Sequence, residues 1–403
     1  MSILGGKIDI FGGYVYSLDM SDHSPFDPNI PYNNLPPLPP RDEVETVAVL
    51  KAVIAANKEL GALDSACRLI PNPAIITSTI PLREAQASSE IENIVTTNDE
   101  LFRAAYAVDA EPTPATKEAL RYNKALHLGV ESLATRPLSI HTAQQVCSAL
   151  HDAPAVVRSM PGTYIGDPVK KIKFYTPPEG KEIIEQHLSQ WERFIYSDHG
   201  LDPLALLALL HYQFEAIHPF YDGNGRTGRI INVLYLVING LLDLPILYLS
   251  RYITQNKSQY YSLIQAIRDK DENNALEWEE WILFILKGVE QTARDTIRLV
   301  RGISKLMQEY KQILRPLFGK NYKHELLNNL FYHPYTKIEF MQRDLMVQRK
   351  TASKYLNKMV DEGVLIVVKI GRDNYYINQA LVALFQSRFD KSTTRRDDRI
   401  GDR

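Results

Sequence analysis

His218-Pro219-Phe220-Tyr221-Asp222-Gly223-Asn224-Gly225-Arg226-Thr227-Gly228-Arg229 is the stretch that decides how this chain is read. It gathers one histidine, one carboxylate, three glycines, one amide and two arginines, the inventory that nucleotide-phosphate chemistry needs. An imidazole such as His218 takes a proton near neutral pH. Asp222 offers a hard oxygen ligand suited to Mg²⁺. Gly223 and Gly225 let backbone N–H groups approach a phosphate without a side-chain clash. Arg226 and Arg229 are three apart, so on a helix they share one face and their planar forks reach the same polyphosphate.

The flanks place this string between two helices. Upstream, Leu204 to Ile217 is apolar with helical spacing (Leu206, Leu209, Leu210, Phe214, Ile217), which fits a buried helix ending near Pro219. Downstream, Ile230, Ile231, Val233, Leu234, Leu236 and Val237 are nearly continuous, so the second helix is buried too. A glycine-rich loop between them delivers a phosphate to the positive end of the second helix. A plain glycine turn between core helices would leave the histidine, the carboxylate and the arginine spacing without a role.

The string resembles the signature of the Fic family, H-P-F-x-D-G-N-G-R-x-x-R, at every fixed position. Most Fic enzymes transfer AMP from ATP to a Ser, Thr or Tyr hydroxyl of a target protein, and the resemblance implies the same here, self-modification included. By position it implies His218 as general base, Phe220 as the apolar anchor of the loop and Asp222 as the Mg²⁺ ligand. It implies Gly223, Asn224 and Gly225 as phosphate cradle, with Arg226, Thr227, Gly228 and Arg229 completing the ATP site and the two arginines facing the β- and γ-phosphates. The kinase-like Doc branch carries Lys where Arg226 stands, so Arg226 favours AMP transfer over phosphate transfer.

Three further segments join this reading. Ser88-Ser89-Glu90-Ile91-Glu92-Asn93 matches the Fic inhibitory pattern (S/T)-x-x-x-E-(G/N), with Ser88, Glu92 and Asn93 on its fixed positions. The resemblance implies a carboxylate that forms a bidentate pair with Arg229 and denies it to the γ-phosphate. Gly162 to Pro178 alternates and ends in Pro-Pro, so it reads as a β-hairpin. In the family this hairpin is the flap that pairs with the target's backbone by strand addition, here through Lys170, Lys171, Ile172 and Lys173. Leu247 to Arg268 resembles the helix closing the adenine pocket; Tyr260 and Tyr261 stand either as base contacts or as packing. His211 reads as a core residue behind the site, and Trp278 and Trp281 as packing.

The expected fold class is mainly α, a Fic-type helical core with a short β-hairpin flap and a C-terminal winged helix-turn-helix. Its divisions are an extended N-terminal arm (1–41), a helical region with the inhibitory motif (42–135), a catalytic core (136–315), the winged helix (323–385) and a disordered charged tail (386–403). Helices are expected over Asp42–Leu60, Pro81–Val108, Pro114–Leu133, Ile140–His151, Lys181–Tyr196, Gln255–Arg268 and Asn274–Leu314. In the winged helix, Gln348, Arg349, Lys350, Ser353 and Lys354 would face a groove. From Lys337 to Tyr376 there are eight Lys/Arg and five Asp/Glu, only modestly basic, so protein is as open a partner as DNA.

The whole chain has 403 residues and a formal charge of −2, a balance with no global field pointing to nucleic acid or membrane. Its two cysteines, Cys67 and Cys147, form no metal-spaced cluster and fit a reducing compartment. No signal peptide is evident and no apolar run reaches the ~20 residues of a membrane span, so a cytoplasmic protein is expected. The implied cofactor is Mg²⁺, with ATP as substrate and an unidentified protein as target. A homodimer is the base-rate oligomer. Two rival readings stay open: removal of AMP from a target with Glu92 orienting a water, and a DNA- or protein-binding regulator acting through the winged helix.

Overall fold

Thr46 opens the helical part of the chain, its Oγ1 accepting from Val49 N at 3.2 Å to cap the first helix. A computed structural model describes residues 10–11, 14–15, 26–40, 43–106, 111–167, 170–269, 274–370 and 373–386. A two-residue pair, β1 (Ile10–Phe11) and β2 (Tyr14–Val15), comes first. Helices α1 (Val47–Cys67), α2 (Ala74–Ile91), α3 (Asn98–Tyr106), α4 (Pro114–Leu133) and α5 (Ile140–His151) follow. The hairpin β3 (Ile165–Asp167) and β4 (Ile172–Tyr175) then leads into α6 (Lys181–Tyr196), α7 (Pro203–Ile217) and α8 (Asn224–Ile238). Short helices α9 (Ser250–Gln255) and α10 (Lys257–Asp269) precede the long α11 (Ala275–Phe318). The mainly α class is thus the observed one.

Several boundaries differ from the sequence reading, three helices most of all. The first helix starts at Val47 and runs on to Cys67, because residues from Ala56 to Ala66 continue its buried stripe. The expected helix Pro81–Val108 is two. Pro81 lies inside α2, which begins at Ala74; packing of the many buried side chains of this helix outweighs the hydrogen bond that the ring removes. The helix stops at Glu92, and the remainder is α3; residue 108 is outside the described residues. Gln255–Arg268 is split between α9 and α10 at Asn256, whose φ of −125° leaves the helical region.

The arm between residues 26 and 40 has no helix or strand, as its prolines dictate. It is nevertheless fastened. Tyr32 N donates to Thr176 O at 3.0 Å, and Gln213 Nε2 donates to Pro36 O at 3.0 Å. Its Leu35 is buried. The arm therefore straps the end of the hairpin to α7.

The helix α11 holds 44 residues, about 66 Å at 1.5 Å per residue. Its first half packs on α1, α7 and α10, and its second half carries the C-terminal elements. These are α12 (His324–Tyr332), β5 (Tyr335–Thr336), α13 (Ile338–Leu345), α14 (Arg349–Asp361), β6 (Ile366–Ile370), β7 (Asp373–Ile377) and α15 (Gln379–Gln386). The antiparallel sheet runs β5-β7-β6, with Tyr335 opposite Ile377 and Val368 opposite Tyr375. Helix, strand, two helices and a hairpin is the element order of a winged helix. The strand β5 and the helix α15 are additions to the sequence reading. The expected disordered tail, residue 386 apart, lies outside the described residues; Gln386 closes α15. Among the described residues no helix is long and apolar enough to cross a membrane.

Candidate active site

Helix α7 is capped by Asp202, whose Oδ1 accepts from Leu204 N at 2.8 Å, and Pro203 fills its first turn. It ends at His218, which adopts the left-handed conformation with φ 49°. That conformation is costly for a residue with a Cβ, by about 1–2 kcal/mol, and the surroundings enforce it. The buried Arg158 donates from Nε to His218 O at 2.7 Å, and its backbone N–H donates to Pro219 O at 2.9 Å. Its Nη2 reaches Pro178 O at 2.5 Å. Arg158 thus joins the chain before the hairpin, the chain after it and the histidine loop. No motif marks it in the sequence.

The loop is closed from within by Asn224. Its Oδ1 accepts from Phe220 N and its Nδ2 donates to Phe220 O, both at 2.7 Å, while the Phe220 ring is buried in the core. Gly223, with φ 79°, turns the chain into α8. At Gly225 a Cβ would lie 2.8 Å from Arg229 Nη1 and 3.1 Å from Glu92 Oε1, so a side chain here would press on that pair. Thr227 and Gly228 are buried behind the first turn.

Arg226 and Arg229 are 2% and 3% exposed, at a helix N-terminus where two cations meet the wrong end of the helix dipole. They need a counter-charge, and the Glu92 carboxylate supplies one oxygen to each. Its Oε1 accepts from Arg229 Nη2 at 2.9 Å, and its Oε2 lies 2.8 Å from Arg226 Nε. The expected bidentate pair with Arg229 alone is therefore a bridge between both arginines. Arg229 Nε also donates to Ser88 Oγ at 2.8 Å and its Nη2 to Ser88 O at 3.0 Å. Asn93 completes the motif in a different way. It sits at φ 63°, its N–H donates to Glu90 O and Ile94 N–H donates to Ser89 O, each at 3.0 Å. This is the Schellman end of α2, and it explains why the pattern closes on Gly or Asn. Lys257 Nζ donates to Asn93 Oδ1 at 3.1 Å. A second acid, Glu118 on α4, contacts Arg226 Nη1.

Burial, with help from Arg158 and Arg268, pushes the His218 imidazole down to about 3, so it is neutral at physiological pH. Burial likewise holds His211 at about 3; its Nε2 lies 2.9 Å from Tyr260 Oη. Tyr260 is 2% exposed, packed against Trp281 and Phe284, whereas Tyr261 is 46% exposed, so only Tyr261 presents a ring that a ligand can reach. Glu215, one turn before His218, was not singled out in the sequence. Its Oε1 is buried without a hydrogen-bond partner, and burial raises the carboxyl to about 7 against the pull of Arg229.

The hairpin stands beside this loop. Tyr175 Oη donates to Ala216 O at 2.7 Å, and the Arg268 guanidinium lies 3.6 Å from the Tyr175 ring centroid. Tyr221 Oη accepts from Ser159 N and Met160 N at 3.1 and 3.2 Å. Of the expected flap residues, Lys170, Lys171 and Ile172 are exposed and Lys173 is half-buried, its Nζ over the Tyr164 ring.

Asp222 is the candidate metal ligand. Its Oδ1 accepts from Gly223 N at 2.6 Å and lies 3.7 Å from Arg226 Nη2, with the carboxylate 73% exposed. Among the described residues no group of three His, Cys, Asp or Glu is placed to cage an ion. A lone accessible carboxylate beside a phosphate cradle fits Mg²⁺, which keeps most of its waters and takes further ligands from a bound polyphosphate.

A helical protein that presents a neutral histidine and two buried arginines around a glycine-rich helix N-terminus has the make-up of a nucleotide-phosphate site. The chain matches the family models described as "Fic/DOC family N-terminal" over residues 50–131 and "Fic/DOC family" over 139–236. It also matches "Protein adenylyltransferase SoFic-like, C-terminal domain" over 306–381. The chain belongs to the Fic family. "Protein adenylyltransferase Fic" of Drosophila melanogaster is 32% identical over 96 residues, 23% of this chain and 18% of that protein. "Probable protein adenylyltransferase aq_aa38" of Aquifex aeolicus is 34% identical over 100 residues, 25% of this chain and 27% of that protein. The matched region is thus about a fifth to a quarter of the length of these relatives. Among solved structures, a Fic family protein from Desulfovibrio desulfuricans aligns at TM-score 0.48 and 17% identity, covering 84% of this chain and 98% of that one. Fic-1 (aa134–508) from C. elegans aligns at 0.48 and 16%, covering 63% and 73%.

Proposed function

We propose that this protein transfers AMP from ATP to a Ser, Thr or Tyr hydroxyl of a protein target, itself included, and that Glu92 restrains it. The observation that carries the proposal is the Glu92 bridge. Two buried arginines at a helix N-terminus, next to a neutral imidazole, are held by one carboxylate on a separate helix. That carboxylate occupies the place a phosphate would take.

With Glu92 withdrawn, the arginines accept the nucleotide's phosphates, Arg226 toward the β and Arg229 toward the γ position. The cradle of Gly223, Asn224 and Gly225 receives the phosphate nearer His218. Asp222 would hold Mg²⁺, which when bound neutralises charge on the phosphates. His218, neutral because burial depresses its pKa, takes the proton of the target hydroxyl. The freed oxygen bonds to the α-phosphorus, the bond from that phosphorus to the bridging oxygen breaks, and pyrophosphate leaves with its charge on the arginines. The edge of the hairpin around Ile172 aligns the target segment by strand addition.

The test is intact-mass spectrometry of Glu92→Gly after incubation with Mg²⁺ and ATP, beside Glu92→Gly/His218→Ala. The single variant should gain an AMP mass that the double variant lacks. A Glu92→Gly protein no more modified than the parent would defeat the restraint, and modification that survives His218→Ala would defeat the assignment of the base.

A further inference from the structure

Glu118 lies outside every motif above, yet it contacts the buried guanidinium of Arg226 directly. We propose that Glu118 is a positioning residue that keeps the Arg226 fork aimed at the nucleotide's second phosphate after Glu92 withdraws. The inference rests on the nucleotide reading of the site and goes beyond it by naming a residue of another helix.

Arg226 is 2% exposed, and a buried guanidinium without a carboxylate is strongly unfavourable. Three acids surround it: Glu92 on Nε at 2.8 Å, Asp222 near Nη2 at 3.7 Å, and Glu118 on Nη1. The proposed reaction removes the first two. Glu92 must leave for a phosphate to enter, and the exposed Asp222 is the carboxylate that would hold the metal. Glu118 alone stays, because it comes from α4. That helix is capped by Thr113 and packs against α2, α5 and α8, so its position does not depend on α2's C-terminal turn. An arginine has five N–H donors on three nitrogens. With Nη1 held by Glu118, the edge formed by Nε and Nη2 is left for a bidentate phosphate contact. Glu118 also sets the charge: one carboxylate leaves the fork compensated but not saturated.

A competing role is that Glu118 acts as a second lock, which phosphate would have to displace. The two roles predict opposite changes. Isothermal titration of ADP and of AMP, at fixed Mg²⁺, would compare Glu92→Gly with Glu92→Gly/Glu118→Gln. ADP carries the phosphate that Arg226 faces and AMP does not. We expect ADP binding to weaken about ten-fold in the double variant while AMP binding changes by less than about two-fold. A gain in ADP affinity would make Glu118 a lock and overturn the proposal. Equal losses for ADP and AMP would reduce it to general structural damage and also overturn it. Absence of ADP binding to Glu92→Gly itself would overturn the nucleotide reading beneath. Should the double variant melt below the assay temperature, Glu118→Asp in the same background replaces it, with a smaller loss confined to ADP expected.

Discussion

Glu84 lies one helical turn before Ser88 and is completely enclosed, accepting from Tyr122 Oη at 3.0 Å and Ser250 N at 3.2 Å. Burial raises its carboxyl to about 7, against the hydrogen bonds from Ser250 and Tyr122 and the charge of Arg229. The native state therefore holds a proton, between the ordinary carboxylate range and about pH 7, that the unfolded chain has already lost. The resulting stabilisation is complete below about pH 4 and is lost as pH rises through 7. Glu84→Gln, which mimics the protonated side chain, should gain melting temperature relative to the parent as pH rises from 5 to 8. That difference cancels the opposite pull of His211 and His218, whose depressed pKa values stabilise the fold as pH rises toward 6.5. A variant with the parent's full slope would mean that Glu84 does not titrate there. Glu215 is shifted the same way and would account for slope that persists. Neither residue was legible in the sequence, nor were Arg158 and Glu118. Single Glu and Arg residues are usually solvated, and the hydrogen-bond partners of Glu84, Arg158 and Glu118 lie 20 to 166 positions away in the chain. The loop from His218 to Arg229 was legible because its chemistry is packed into twelve consecutive residues.

At the scale of elements, the end of α2 matters most. Its last turn delivers Glu92 to the arginines, and Asn93 sets the direction of that turn by adopting φ 63°. Glycine takes this conformation freely, whereas a β-branched residue is strained there by about 1–3 kcal/mol. Asn93→Val should therefore loosen the turn and raise self-modification with ATP, although it removes no contact to either arginine. Asn93→Gly should stay restrained. Intact mass after incubation with Mg²⁺ and ATP measures both, and equal modification of the two variants would show that backbone geometry at Asn93 does not hold Glu92 in place. The same turn explains why α2 and α3 read as one helix in the sequence. With neither Gly nor Pro at the break, nothing in composition separated α2 from α3, and Pro81 looked like a first-turn proline because that is where prolines usually stand in helices. The helices flanking the loop were clearer, since both are apolar over several turns.

The C-terminal elements are not appended to the rest as a separate bead. The rings of Phe102 on α3 and Phe385 on α15 stack at 5.0 Å, Tyr106 meets His333 edge-on at 5.9 Å, and Tyr335 Oη donates to Asp99. At Gly302 on α11 a Cβ would come within 2.9 Å of Leu384, so α15 lies close along the long helix. The helix α12 packs on α2, the helix that ends in Glu92. None of this was visible in the sequence, because β5 is two residues long and α15 follows the hairpin without a break signal. Sharing one core with α2, α3 and α11, this part should unfold together with the catalytic helices. Calorimetry of the parent should show one transition. Phe385→Ala, emptying a fully buried site at the junction, should lower that single transition by the equivalent of about 3–5 kcal/mol. If the variant instead releases a small early transition and leaves the main one in place, the C-terminal part folds independently. In that case the contact between α12 and α2 does not couple the folding of the C-terminal elements to α2. A joint shift would mean that the contact between α12 and α2 couples the C-terminal elements to the helix that carries Glu92.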